Sequence, residues 1–441
     1  GRSRSGARLT RRRRLTGGAR LDTDVLVVGG GPAGASVAPW LASAGHDVTL
    51  VEKRPRPRHK ACGDALTPRA LGELGRLGVD EASLAPLGAH HTDGIVMRHG
   101  GHELPVPWPA HPDFTDHGLV VRRDRLDEAL RRTAADAGAR VLMGHEATAP
   151  IVERGFVRGA MTSVVDDHEA AGDVRPISSR FVVVADGANS SFGRAVGTTR
   201  DHNWPYGIAT RSYWSSPRHD EPWIESVLGP PDAGGTPIAG YGWVIPLGDG
   251  TVNAGVALLS TYRDVRGVNA LKLLDAFAHS IAERWSIDPA APLKSPTRFR
   301  VPLGGSIAPK MGPTFLVAGD AAGLASPFNG DGVDAALMSG RLAGGVLHEA
   351  LTTGNSTTLQ RYPTVLADEV GRYHKVGRLT ARFLGRPGIL RPALRLGMRS
   401  ERVMGGVLRL AANELRDGPA AGGAERTYSL VSTLSRAAPS W

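Results

Sequence analysis

Asp24-Val25-Leu26-Val27-Val28-Gly29-Gly30-Gly31-Pro32-Ala33-Gly34 opens the stretch that decides the fold, and Asp47-Val48-Thr49-Leu50-Val51-Glu52 closes it. Residues 25–28 are short, apolar and β-branched, as a strand buried on both faces requires. Gly29, Gly31 and Gly34 follow at G-x-G-x-x-G spacing. The first allows a tight turn, the second admits a pyrophosphate to the backbone, and the third lets helix and strand pack closely. Residues 33–44 supply a helix whose N-terminus offers unpaired N–H groups and a positive dipole end to phosphate. Gly45 stops it, and residues 48–51 form a second strand. Glu52, 18 residues beyond Gly34, can accept from a ribose hydroxyl. Strand, turn, helix, strand and acid stand in the order a dinucleotide site needs, with Pro32 and Ala33 inside the turn. The stretch does not decide which dinucleotide.

Working outward, the same pattern of a buried strand running into a Gly/Asp turn recurs twice. Residues 181–184 lead into Ala185-Asp186-Gly187, and residues 315–318 into Gly319-Asp320, with Gly330-Asp331-Gly332-Val333 beyond. A strand-end Asp can face a ribose or ribityl hydroxyl. A helix over 334–352 then aims its N-terminus at a negative ring or phosphate. Residues 120–137 read as strand end, then helix. Arg123 at its start either reaches a phosphate or ribose, or forms a surface salt bridge with Asp127 at i+4.

Residues 140–143 and 151–157 read as strands of a meander, and 69–77 as a helix. Residues 104–108 read as an edge strand because prolines interrupt them. Residues 204–300 alternate short strands (208–214, 223–227, 241–247, 252–257) with Gly/Pro turns. This predicts a mostly antiparallel second domain, crossed by a helix over 270–284. Five of the eight tryptophans lie there, which suits an apolar pocket wall as well as a core. Residues 359–416 read as helical, broken at Pro387 and Pro392. Arg391, Arg395, Arg399 and Arg402 fall on one helical face, beside Leu390, Leu394, Met398 and Val403. Such a basic amphipathic helix is either a membrane-surface contact or a solvated capping helix.

Charge sharpens this division. The chain of 441 residues carries +10 overall. Residues 1–20 hold eight arginines and no acid, and residues 371–410 nine arginines and one lysine against one glutamate. The rest is net acidic, which excludes a uniformly basic nucleic-acid binder. Residues 1–20 read as a disordered basic extension rather than a secretory or twin-arginine signal, because the apolar run after them belongs to the first strand. The single cysteine, Cys62, excludes an intrachain disulfide and fits a reducing compartment. No apolar run is long enough for a transmembrane helix. Six histidines between 90 and 117 lack metal-ligand spacing, so no metal is expected. Neither a P-loop nor a Gly-x-Ser-x-Gly elbow occurs.

Gly29-x-Gly31-x-x-Gly34, Asp186-Gly187 and Gly319-Asp320 together resemble the p-hydroxybenzoate-hydroxylase-type α/β fold, a Rossmann-type parallel sheet with an antiparallel substrate sheet. That resemblance implies FAD. Lys60-x-Cys62-Gly63-Asp64-x-Leu66-x-Pro68 and Tyr241-x-Trp243-x-x-Pro246 resemble signatures of the geranylgeranyl reductase family. Asp220-Glu221-Pro222-Trp223-Ile224 and Gly330-x-Gly332-Val333 are similar to its actinobacterial menaquinone reductases. The resemblance spans about residues 22–410. It implies reduction of an isoprenyl double bond in a polyprenyl lipid or quinone, by FAD that an unidentified donor reduces. It implies that Lys60, Ala61, Cys62, Gly63, Arg123, Asp320, Gly332 and Val333 lie near the cofactor. Tyr241 and Trp243, with Ile245 and Pro246, would line the lipid channel. Tyr241, Trp243 and Cys62 are the candidate catalytic residues. Two departures stand out: Ala65 replaces the usual Gly, and Ile245 the usual Phe.

The expected organisation follows. Residues 21–88, 115–200 and 300–352 form a discontinuous FAD-binding domain, and 89–114 with 201–299 a substrate domain. Residues 353–416 are a helical region touching an anionic membrane, and 417–441 a frayed tail. The expected location is cytoplasmic, peripheral on the inner face of the cell membrane. An aromatic monooxygenase, a halogenase (Tyr241-x-Trp243-x-Ile245-Pro246 resembles the Trp-x-Trp-x-Ile-Pro motif) and a non-enzymatic flavin carrier are the competing readings.

Overall fold

Val25, Leu26 and Val27 are wholly buried, because Leu21–Val28 lies at the centre of a mixed sheet. The computed structural model describes residues 21–56, 63–165, 171–230, 238–262 and 265–415, with a few positions between 423 and 429. The strand pairs in parallel with Val48–Glu52 on one side and Ala171–Val184 on the other. Arg140–Met143 and Phe315–Val317 extend the sheet outward, also in parallel. Helices Pro32–Ser43 and Val333–Thr353 cross on it at glycines. A Cβ on Gly340 would stand 2.6 Å from the Ala33 carbonyl oxygen. Ser36 Oγ donates to the Leu337 carbonyl at 2.8 Å across the same crossing.

The second sheet has seven strands. Its order is Thr297–Pro302, Tyr206–Ser215, Thr251–Leu259, Gly240–Pro246, Trp223–Leu228, Gly94–His99 and His102–Pro107. One pair, Trp223–Leu228 with Gly94–His99, is parallel, and the others are antiparallel. His102–Pro107 takes the outer edge, where Pro105 and Pro107 remove no needed donor. Side chains alternate between two cores, as a pleated strand demands. Val244, Ala254 and Val256 face helix Ala270–Trp285 through Leu274, Phe277 and Ile281. Tyr213, Trp243 and Ile245 face the other way, and Met398, Met404 and Leu408 close over them.

The structure differs from the sequence reading in three places. Residues 151–157 are not one strand: His145–Glu153 and Phe156–Val165 are the arms of a hairpin. Arg154 and Gly155 both have positive φ (52° and 83°), the two-residue turn that matches strand twist. The expected break at Pro387 is there, since helix Arg372–Leu384 ends just before it and Pro387 opens helix Pro387–Gly397. Pro392 breaks nothing, because it sits inside that second helix. The next break comes later, where Ser400 caps a new helix, Glu401–Ala411, through Val403 N–H. The four arginines therefore do not share one helix. Arg391 and Arg395 ride on the first, Arg402 on the second, and Arg399 on the turn between them; all are exposed. Residues 1–20 and nearly all of 417–441 lie outside the described residues.

Candidate active site

Parallel register brings the three Gly/Asp turns together. Val28 is level with Val51 and Val184, and Val184 with Val317. Gly29, Asp186 and Gly319 thus leave adjacent strands at one edge of the sheet, the edge where open α/β sheets bind ligands. Gly29 has φ +105°, and a Cβ there would lie 2.4 Å from the Ala185 carbonyl oxygen. A Cβ on Gly34 would lie 2.0 Å from the Gly29 carbonyl oxygen. A Cβ on Gly319, at φ +60°, would lie 2.8 Å from the Ala33 Cβ. The loops interlock through backbone that only glycine permits.

Helix Pro32–Ser43 begins at this edge with Gly31 as its N-cap, no side-chain cap and no acid in its first turn. Its leading N–H groups face the strand ends ready for an anion. Glu52 Oε2 accepts from Gly30 N–H at 2.9 Å and Oε1 from Arg54 N–H at 3.0 Å, which sets the carboxylate beside the glycine turn. Asp186 is turned inward: it accepts from Ser190 Oγ at 2.5 Å and Phe192 N–H at 3.0 Å. Burial raises its pKa, and these bonds oppose the rise. Asp320 Oδ1 lies where a Cβ on Gly332 would come within 3.0 Å, so Gly332 leaves that carboxylate room. Val333 starts the long helix, and its N–H donates to Asp331 Oδ1 at 3.1 Å. Burial raises the Asp331 pKa. Burial and then the Asp331 charge push Asp334, one residue into the helix, up to about 7.

Arg123 does pair with Asp127, at 3.0 Å, but the pair is buried and not on the surface. Tyr241 O–H donates to the Asn329 carbonyl, tying the antiparallel sheet to the loop that ends at Gly332. The Tyr241 and Trp243 rings lie 5.8 Å apart, tilted by 48°. Trp243 reaches across to Gly255 on the neighbouring strand, and Ile245 and Pro246 are buried beyond it. Lys60, Ala61 and Cys62 lie outside the described residues; Gly63 is the first described residue after them and faces open space.

The structure adds three residues to which the sequence reading gave no role. Asp64, with no exposed surface, accepts from Arg123 N–H at 3.1 Å through Oδ1. Its Oδ2 accepts from Tyr213 O–H at 2.9 Å and Asn253 Nδ2 at 2.8 Å. Asn253 Oδ1 in turn accepts from Trp243 Nε1 at 3.2 Å. One carboxylate thereby connects the Cys-Gly-Asp loop to the indole. Burial and then the Asp64 charge raise the Tyr213 pKa, so the phenol stays a donor. A signal for Asn253 was present: an amide in mid-strand is unusual unless it has a buried partner.

A family described as FAD binding domain matches residues 22–368. The chain belongs to this FAD-binding family. It is 37% identical over 406 residues to a menaquinone reductase of Mycolicibacterium smegmatis, covering 89% of this chain and 92% of that one. A Mycobacterium tuberculosis menaquinone reductase is 36% identical over 395 residues, with the same two coverages. A digeranylgeranylglycerophospholipid reductase of Methanopyrus kandleri is 30% identical, covering 82% of this chain and 91% of that one. The chain thus stands within the geranylgeranyl reductase family, as its motifs suggest. Among solved structures, a geranylgeranyl bacteriochlorophyll reductase-like protein of Thermoplasma acidophilum superimposes with TM-score 0.75 at 23% identity, covering 94% of this chain and all of that one. A flavin-dependent brominase superimposes with TM-score 0.69 at 18% identity, covering 94% of this chain and all of that one. Both share the fold. FAD is the cofactor, and the uncapped Gly31 helix start with its three adjoining strand ends fits a dinucleotide diphosphate.

Proposed function

We propose that this chain is an FAD-dependent reductase that saturates an isoprenyl C=C bond in a polyprenyl lipid, the menaquinone side chain or a geranylgeranyl group. The observation that carries the reading is the Tyr241–Trp243 aromatic pair, tied through Tyr241 to the Asn329 loop and through Asn253 to Asp64. The likeness to menaquinone and geranylgeranyl reductases supports it.

In this reading the Gly31 helix start holds the diphosphate and Glu52 the ribose, while Asp320, Gly332 and Val333 border the flavin. Bound reduced FAD supplies a hydride equivalent. An isolated trisubstituted alkene accepts one only as it gains a proton and tertiary cationic character. The faces of Tyr241 and Trp243 stabilise that charge and keep water out. The Tyr241 proton is committed to the Asn329 carbonyl, so the proton for the alkene comes from Cys62 or an ordered water. The test is Trp243→Ala with FAD content measured alongside lipid reduction. Near wild-type turnover with FAD bound would overturn the pocket assignment. Turnover without oxygen on dithionite-reduced FAD separates this reading from oxygenase and halogenase chemistry.

The lipid substrate asks for a membrane contact. Among the described residues no helix is long and apolar enough to cross a membrane. The exposed apolar residues Phe383, Ile389, Leu396, Val403 and Val407 gather on the C-terminal helices among Arg386, Arg391, Arg395, Arg399 and Arg402. Leu390 and Met398 of the expected apolar stripe instead turn inward. We read the outer surface as docking on the inner face of the cell membrane, where each arginine near anionic lipid contributes about 1 kcal/mol. Binding to anionic vesicles that weakens with salt is expected, and salt-independent binding or none refutes the contact.

A further inference from the structure

Two arginines converge on one tyrosine beside the free edge of the antiparallel sheet, and a third stands near them. Arg200 stands 4.9 Å and Arg300 5.6 Å from the centre of the Tyr206 ring. Arg298 lies two residues from Arg300 on edge strand Thr297–Pro302, hence on the same face, and both are exposed. The Arg200 guanidinium is held by the Asp201 and Trp204 carbonyls. No carboxylate among the described residues pairs with Arg298 or Arg300. Like charges gathered without a counter-charge favour an anion.

Tyr206, Arg298 and Arg300 line an open cleft of about 510 Å³, within the range of small-molecule sites. Its lining includes Tyr206, Val265, Val268, Leu271, Arg298 and Arg300, with no acid among the described residues. Leu271 is 52% exposed, an apolar side chain beside the cations. Tyr206, Val265 and Val268 pack in the same apolar cluster as Leu390 and Leu394 of helix Pro387–Gly397. The outward side of that helix carries Ile389 and Leu396 with Arg391 and Arg395. The cleft and the inner side of that helix thus share one apolar cluster.

We propose that this cleft seats the phosphate headgroup of an anionic membrane lipid, with Arg298 and Arg300 on the phosphate and Leu271 and Val268 along the start of the acyl chain. The proposal rests on the membrane-docking reading and adds a defined headgroup site to it. A free phosphate would use only the arginines, whereas the apolar floor calls for an amphipathic ligand. The occupant is thus a lipid.

The probe is dihexanoylphosphatidylglycerol, monomeric below its micelle concentration, read by an environment-sensitive label on Leu271→Cys in the FAD-loaded protein. Saturable binding is expected. It should weaken at least tenfold in Arg298→Ala/Arg300→Ala and persist in Arg391→Ala/Arg395→Ala. Equal binding by the Arg298/Arg300 variant, or no saturation, overturns the proposal. Equal saturation by inorganic phosphate also overturns it, making the cleft a free-phosphate site. Sedimentation of the Arg391/Arg395 variant with phosphatidylcholine vesicles, with and without phosphatidylglycerol, tests the docking reading separately. Folding of both variants is checked by FAD content and by reduction of detergent-dispersed substrate.

Discussion

Gly255→Ala tests the aromatic wall without removing any of its chemistry. A Cβ on Gly255 would stand 2.2 Å from Trp243 Cζ2 and 2.6 Å from Cη2, far inside contact distance. The backbone there is strand, paired with Trp243 on one side and Arg211 on the other, so neither strand can retreat easily. The indole must swing instead, which pulls Nε1 from Asn253 Oδ1, now 3.2 Å away. Overpacking costs about 1–3 kcal/mol, and a lost buried hydrogen bond about 1 kcal/mol more. Urea unfolding of the FAD-loaded protein should show that total, about 2–4 kcal/mol, at an unchanged m-value. Lipid reduction should fall at least tenfold with FAD still bound, because the displaced indole would occupy the substrate side. Trp243→Phe removes the clashing atoms, so in that background Gly255→Ala should cost less by about 1–2 kcal/mol. Strict additivity of the two substitutions would refute the claim that Gly255 exists to receive the indole.

The remaining expectations can be checked with the same protein. Gly34→Ala drives a Cβ to 2.0 Å from the Gly29 carbonyl oxygen and should yield protein without flavin absorbance. Gly345→Ala meets nothing within 4 Å inside a helix, so it should retain flavin and gain up to about 1 kcal/mol in unfolding free energy. Asn253→Leu orphans the Trp243 N–H and takes a donor from Asp64. It should cost about 3–5 kcal/mol in urea unfolding and lower kcat more than FAD affinity. Glu414 is buried, and burial pushes it up to about 8 although the Arg69 backbone N–H and guanidinium oppose the rise. The native state keeps a proton that the unfolded chain releases near its ordinary 4.5, so stability falls as pH rises between about 4.5 and 8. Glu414→Gln should therefore raise Tm above pH 8 and leave it nearly unchanged at pH 4, and a pH-independent shift would contradict this.

Much of this was legible in the chain. Gly29, Gly31 and Gly34 with Glu52 point to a dinucleotide-binding fold because backbone approach to phosphate demands those residues at that spacing. The later turns at Asp186 and Gly319 were visible as the ends of buried β-branched runs. Pro105 and Pro107 marked an edge strand, since proline cannot serve a central one. The Arg154–Gly155 turn was missed because nothing local distinguishes a two-residue hairpin in a β-rich run. Pro387 does mark a helix boundary, whereas Pro392 sits within a helix that runs on to Gly397, and Ser400 caps the next one.

Only the tertiary structure decided what joins these parts. Parallel register set Val28, Val184 and Val317 level, so turns almost 300 residues apart share one edge. Asp64, Asn253 and Trp243 are separated by up to 189 residues and meet through hydrogen bonds that no local pattern encodes. The sequence by itself determined which residues can tolerate a phosphate or a strained turn, because that is a property of each residue and its neighbours. Which carboxylate holds which ring depends on the register and packing of whole sheets, and only the folded chain fixes those.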